Sequence, residues 1–411
     1  MAAGPGVGWD SEVLERVLDT ARHDSFEGSS KHDALNAPWL ETLAGTSRPR
    51  RLVATQLVMR SPVDVRNLAH VRKARNAKGL SLFARALLSR YRVTGSEHYA
   101  DEARELLDWL IAHPAPYVEA GGGELPGLAW GYPYPWQDVG FFAPRNFPNR
   151  VVTSFVGQAL LDCFETLGDE RYLDATADVM RFLLDAPKTL FEDERHRCVS
   201  YVPDPAVTWI VMDVSVLVGA LAGRLGALRD DAAMIEEGGR LVRYVVSKQT
   251  DEGAWFYAEP PSASHITHDN YHTGFILDAI DVYGRATKSD EFAKSYDTGL
   301  DFYRRRLFAA DGEARFMSDQ HYPIDIHGCA QGVITFALQQ RNHGAGADMS
   351  RKVLDWTLEH MWDPRTGWFY YQQRPLPGGK TYRTKIRELR WCQGWMSWAL
   401  ASHIEYCGAG A

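Results

Sequence analysis

Three aspartates, Asp213, Asp269 and Asp325, stand 56 residues apart (269 − 213 and 325 − 269), and each opens a similar apolar, small-residue stretch. The stretches run Asp213-Val-Ser-Val-Leu-Val-Gly-Ala-Leu-Ala, Asp269-Asn-Tyr-His-Thr-Gly-Phe-Ile-Leu-Asp and Asp325-Ile-His-Gly-Cys-Ala-Gln-Gly-Val-Ile. A fixed period between 20 and 60 residues marks an architecture built by repeating one supersecondary unit. The unit reads as an apolar helix, a polar turn, a charged amphipathic helix and a short aromatic extended piece.

Six first helices can be marked, from about Val71, Val152, Asp213, Asp269, Asp325 and Leu389, each apolar at helical spacing with Gly, Ala or Ser mixed in. Small residues let helices approach closely, as an inner ring requires. The segments near Tyr99, Asp231 and Glu291 instead carry one charged face and one apolar stripe and belong outside. The last inner helix, through Trp391-Cys-Gln-Gly-Trp-Met-Ser-Trp, has no outer partner after it. The N-terminal helix near Ser11 to Arg22 can supply one. The expected fold is all-α: an (α/α)6 toroid of six inner and six outer helices, with short aromatic β-like hairpins and long rim loops, as one domain over residues 1–411. The loops at Pro114–Asn149, Pro203–Met212, Glu259–His268 and Gln320–Ile324 all lead into inner helices, so the working end is expected at the N-terminal ends of those helices.

Composition narrows the classes. The chain is 45% hydrophobic and 24% charged, ordinary for a globular protein with a large core. A formal net charge of −8 gives no basic footprint for nucleic acid or an anionic membrane. Five cysteines in no tight pattern argue against a disulfide framework. The first ten residues read as no secretory signal, and no apolar run is long enough to span a bilayer, so a cytoplasmic protein is expected. The oligomeric state is not encoded in any of these features. Aromatics are plentiful, with 13 Trp and 18 Tyr, many outside the periodic helices. Sugar sites favour such faces, although aromatics that pin helices together account for about half of them.

The polar residues at the inner-helix starts form the candidate site. Asp213, Asp269 and Asp325 are candidate acid/base groups, and Tyr271, His272 and His327 candidate proton handlers. Trp136, Asn149, Arg150, His268, Gln331, Arg390, Trp391 and Gln393 are the candidates for substrate binding. Asp is also a preferred helix N-cap, worth about 1 kcal/mol, so capping alone explains each aspartate about as well as catalysis does. His265, His268, Tyr271 and His272 crowd around Asp269, and imidazole is the usual acid or base near neutral pH. His327 and Gln331, four apart, share a helix face. Helix N-termini with Arg150 and Arg390 nearby favour an anionic ligand over a neutral one.

Two other toroid families share short motifs. Trp391-Cys-Gln-Gly394 is similar to the zinc-bearing lanthipeptide cyclases, which would imply zinc on His327, Cys329 and Cys392. The Cys-His-Gly motif that follows it in those proteins is missing here. Gln249-Thr-Asp-Glu-Gly253-Ala-Trp255 resembles the QW repeat of terpene cyclases, whose Asp-x-Asp-Asp acid motif is absent. It reads as a device closing an outer helix end against an aromatic.

Over nearly its whole length the repeat pattern resembles the six-hairpin glycosidase superfamily. That group holds unsaturated glucuronyl hydrolases, uronate polysaccharide lyases and N-acylglucosamine 2-epimerases. Gly131-Tyr-Pro-Tyr-Pro-Trp-Gln137, Phe141-Phe-Ala-Pro144, Pro148-Asn-Arg-Val-Val-Thr153 and Tyr322-Pro-Ile-Asp-Ile-His327 are similar to proteins of archaeal and bacterial surface-glycan and N-glycosylation gene clusters. The resemblance implies an enzyme on a hexuronic-acid-containing glycan, without a cofactor, working by hydrolysis or by proton abstraction as a lyase or epimerase. A zinc toroid enzyme and a non-catalytic glycan-binding protein stand as alternatives.

Overall fold

The computed structural model describes residues 7–61, 63–116, 124–138 and 141–408. Part of the loop between Pro114 and Asn149, residues 117–123 and 139–140, and the first six residues, on which the reading of no secretory signal rests, lie outside them. In chain order the α-helices are α1 (Val7–His23), α2 (Pro38–Ala44), α3 (Arg48–Arg60), α4 (Ala77–Thr94), α5 (Glu97–Ala112), α6 (Arg150–Leu167) and α7 (Glu170–Asp185). They continue with α8 (Met212–Arg229), α9 (Ala232–Val246), α10 (Asn270–Thr287), α11 (Ala293–Arg306), α12 (Ile326–His343), α13 (Ala347–Met361) and α14 (Trp395–Cys407). A π-helical turn, Leu389–Gly394, leads into α14.

The helices α4, α6, α8, α10 and α12 are each 18 residues long and buried along most of their length. Their partners α5, α7, α9, α11 and α13 bury a single stripe. This is the small-residue against amphipathic contrast expected from the sequence. The chain forms two compact units. The first comprises Met1–Leu110, Trp130–Phe147 and Tyr322–Ala411, the second Ile111–Ala129 and Pro148–His321.

In the first unit α14 packs between α4 and α12, and α13 packs on α12. The helix α1 lies against α14, supplying the outer partner that the C-terminal helix lacks in sequence order. Its Arg22 also pairs with Glu102 of α5 at 2.7 Å. In the second unit α8 packs between α6 and α10, with α7, α9 and α11 beside them. Glycine sets the closest of these contacts: a Cβ on Gly219 would sit 2.7 Å from the Gly238 carbonyl oxygen, so only a hydrogen fits between α8 and α9. Each unit thus carries three helical hairpins, six in all. Helices α2 and α3 stand outside the twelve that the repeat accounts for.

Two expectations need correction. The first inner helix begins at Ala77, not near Val71, because Asn76 is its cap and accepts from the Gly79 amide at 3.3 Å. The aspartate period is also not a period of helix starts. Asp269 and Asp325 are N-caps, whereas Asp213 lies inside the first turn of α8, whose cap is Val211.

The aromatic segments end in short antiparallel strands at the inner-helix starts. Residues 210–211 pair with 258–259, and 324–325 with 372–373. The Gln249–Trp255 device is present as read. Gln249 Nε2 donates to the Gly253 and Ser295 carbonyls, and Trp255 Nε1 donates to the Val245 carbonyl. Gly253, at φ +95°, makes the turn.

Candidate active site

The first unit gathers one cluster around Asp325. Strand pairing of Asp325 with Gln372 sets the backbone, and the carboxylate caps α12 by accepting from the His327 amide at 3.0 Å. The same carboxylate accepts from Trp391 Nε1 and from Gln372 Nε2, each at 2.8 Å. A carboxylate holding three donors is a positioning group, and what it positions is the Trp391 indole. His327 fills the space beside it, its ring 4.5 Å from Trp391 and 4.2 Å from Trp395.

Cations line these aromatics. Lys31 Nζ is 4.0 Å from the Trp391 ring centre, Lys78 Nζ 5.2 Å from Trp395, and the Arg390 guanidinium 5.1 Å from Trp391 and 5.3 Å from Tyr132. Tyr132 meets Trp136 edge-on at 5.6 Å, and His32 stacks on Trp136 at 6.1 Å. Aromatic faces with cations at their rim suit a ligand that has both C–H faces and negative charge.

A buried ion-pair network supports the loop bearing Lys31 and His32. Arg66 bonds Asp33 at 2.9 Å and Glu388 at 3.3 Å, and Asp33 also accepts from the Ser30 amide. Burial pushes Glu388 up to about 7 against the opposing pull of the Arg66, Lys31 and Arg390 charges. Burial, then the charges of Lys31, Arg390 and Arg66, hold His32 well below the usual imidazole range.

The second unit gathers another cluster around Asp269. This aspartate caps α10, accepting from the His272 amide at 3.3 Å. Its oxygens also lie 3.0 and 2.9 Å from His272 Nδ1. A carboxylate only accepts, so Nδ1 carries the proton and Nε2 is left as the basic nitrogen. The His272 ring lies 4.2 Å from Tyr271 and 4.6 Å from Tyr257, and Tyr257 in turn touches His265 and Trp209. Tyr257 is fixed by its carbonyl, which accepts from the Met212 amide at the start of α8. The His272 side chain keeps 17% of its surface exposed. His268 turns away from this group, packing on Phe256 and Phe302 with Nδ1 3.2 Å from Ser318 Oγ.

Several candidates have other employment. Arg150 is fully buried and donates to the carbonyls of Leu183, Ala186, Pro187 and Ser200. Burial, with the nearby Arg197 charge, brings it down to about 9, so it is an internal clamp and not a carboxylate receptor. Gln393 bridges Thr20, Gly367 and the Phe369 amide, and Asn149 caps α6 through the Val152 amide. Gln331 Nε2 donates to Thr335 Oγ1 at 2.9 Å. Asp213 is 3% exposed in the first turn of α8, two residues before Ser215, which accepts from the Val199 amide. Lys31, His32 and Gln372 in one cluster and Trp209 in the other are not among the candidates the sequence offers, and Tyr132 and Tyr257 stand there only as members of aromatic segments. For the two tyrosines the density of aromatics in their segments was the signal; the stretch bearing Lys31 and His32 carries none.

The zinc alternative asks His327, Cys329 and Cys392 to converge. The His327 ring is held against two indoles, and burial with the nearby Glu388 charge raises the Cys392 thiol well above its ordinary range. Among the described residues no group of three or more His, Cys, Asp or Glu is placed to hold a metal ion. The donor set does not fit zinc.

No family model matches the sequence, and no curated protein matches it. Solved structures do match in three dimensions. Cellobiose 2-epimerase from Bacillus thermoamylovorans B4167 superposes with a TM-score of 0.62 at 12% identity, over 82% of this chain and 90% of its own. A glycosyl hydrolase family 88 protein from Bacteroides vulgatus gives 0.58 at 12%, over 98% and 99%. An unsaturated glucuronyl hydrolase specific for heparin gives 0.55 at 11%, over 82% and 87%. At such identities the likeness is one of architecture: the chain has the all-α, six-hairpin (α/α)6 fold of these enzymes.

Proposed function

We propose that the protein is a carbohydrate-active enzyme on an acidic, hexuronic-acid-containing glycan, and that residues 1–411 work as one domain. The observation that carries the reading is the Asp269–His272 pair. The carboxylate orients the imidazole and holds the proton on Nδ1, which leaves Nε2 facing outward as a general base requires. His272 Nε2 would take the proton from the carbon beside the sugar carboxyl group. The electron pair left on that carbon then either expels the oxygen at the neighbouring carbon, as in a lyase, or regains a proton on the other face, as in an epimerase. Tyr271 and Tyr257, in contact with the imidazole, are the hydroxyls available to return a proton. Hydrolysis by paired carboxylates is the weaker reading, since Asp325 is occupied by three donors.

Taken by themselves, the cation-lined aromatics of the first unit suit a uronate residue of such a glycan, with Arg390 and Lys31 the cations available to that residue's carboxylate. Support for this class also comes from the neighbours, whose names include an epimerase, a glucuronyl hydrolase and a polysaccharide lyase. That one neighbour covers 98% of this chain supports the single-domain reading. Five free cysteines, four of them buried, support a cytoplasmic setting. The test is mass spectrometry of a panel of hexuronic-acid oligosaccharides incubated with the protein, beside the same panel with carboxyl groups reduced to alcohols. Turnover of the acids alone is expected. Equal turnover of both panels, or none of either, would overturn the reading.

A further inference from the structure

The helical hairpin of α2 and α3, outside the six repeats, and the turns that follow it to Leu68 have an unusual surface. Trp39, Leu43, Val53, Leu57, Val63 and Leu68 are 51, 64, 57, 69, 65 and 83% exposed. No other large apolar side chain among the described residues exceeds 46%. Isolated exposed apolar residues are ordinary, but six of the most exposed within 30 residues are not. On α3 they are ordered: Arg50, Val53, Leu57 and Arg60 fall at i, i+3, i+7 and i+10, one exposed stripe with an aliphatic pair between two arginines. The opposite side, at Thr55 and Val58, is buried. Residues 48–60 hold four Arg and no Asp or Glu, in a chain whose net charge is −8.

We propose that this hairpin docks on an anionic lipid surface. The local charge reverses what the net charge implies for the whole chain, and it complements negatively charged headgroups. Aliphatic side chains about two-thirds exposed, as at Leu43 and Leu57, suit insertion among acyl chains. Trp39, its indole Nε1 held by the Ala69 carbonyl at 2.7 Å, is an amphipathic ring of the kind that rests at the headgroup level. Arginine stems can lie along the apolar stripe while their heads reach phosphate. At 13 residues α3 is too short to span a bilayer, and no helix among the described residues is long and apolar enough to do so. The contact is therefore interfacial. A symmetric contact between two copies would set arginine against arginine in either helix orientation, which like-charge repulsion opposes.

The experiment is co-flotation of the full chain with vesicles of phosphatidylcholine alone and of phosphatidylcholine with phosphatidylglycerol. Flotation with the anionic vesicles only is expected, weakened by added salt. Leu57→Asp and Arg50→Glu should each lower the partition coefficient by roughly tenfold. Both positions are exposed, so an unchanged melting temperature verifies that the variants fold. Failure to float with anionic vesicles, or equal flotation with neutral ones, would overturn the proposal. So would a wild-type dimer that Leu57→Asp converts to monomer, since the stripe would then join copies of the chain.

Discussion

Asp269 and Asp325 occupy the same position, the N-cap of an inner helix, yet their carboxylates do different work. Asp325 spends both oxygens on an indole, a side-chain amide and a backbone amide, all immobile donors. Asp269 caps its helix and turns the same oxygens toward an imidazole. One aspartate anchors an indole, and the other, in the function proposed, prepares a base. A helix cap leaves a carboxylate with unused acceptor capacity, and the residue placed next to it decides whether that capacity becomes structure or chemistry.

The largest effect should follow from removing the base. His272→Ala is expected to lower turnover of an acidic oligosaccharide about 10³-fold with little change in melting temperature. An equivalent loss from His327→Ala without loss of stability would move the chemistry to the other cluster.

The same substitution at the two aspartates should then separate their roles. At Asp325, Asn keeps one acceptor oxygen but sets an amide N–H2 against the donors of Trp391 or Gln372. A cost of about 2–3 kcal/mol in urea unfolding is expected. At Asp269, Asn remains a good cap, so stability should hold to within about 0.5 kcal/mol. Turnover should nevertheless fall roughly 10²-fold as the imidazole loses its tautomer preference. Equal stability losses at both positions would erase the distinction.

A smaller effect is expected at Arg390. Arg390→Met should raise KM for a uronide about tenfold with kcat nearly constant, since a charge that binds substrate and transition state alike acts on KM. A last effect is structural and confined to acid pH. Burial, with the Arg351 charge, lowers His403 on α14 to about 4, whereas the unfolded chain takes that proton at about 6.5. Its contribution is fully present above pH 6.5, falls as the pH drops from 6.5 to 4, and changes no further below. His403→Gln should flatten that part of the stability profile.

The helices were legible because burial repeats every 3.6 residues along them, and the N-caps because Asp and Asn before an apolar run have a local meaning. The α1–α14 pairing could be read from the count alone, an inner helix wanting a partner. What escaped was built from segments without periodicity. Arg66 meets Glu388 across 322 positions and Asp325 meets Trp391 across 66, and no local pattern reports either. Arg150 misled for the opposite reason: it sits at a helix start like an anion receptor, but the carbonyls of residues 183–200 had already satisfied it. Asp213 fitted the arithmetic of 56 and not the helix, since the inner helices begin at 150, 212, 270 and 326, which are 62, 58 and 56 apart.

The claim that His272 is the base has a direct test in heavy water. Hexuronic-acid oligosaccharides would be incubated with the wild type and with His272→Ala, and the products weighed for deuterium on carbon. The account predicts one carbon-bound deuteron or an unsaturated product with the wild type, and neither with the variant. Cleavage by addition of water alone, unaffected by the loss of His272, would contradict it.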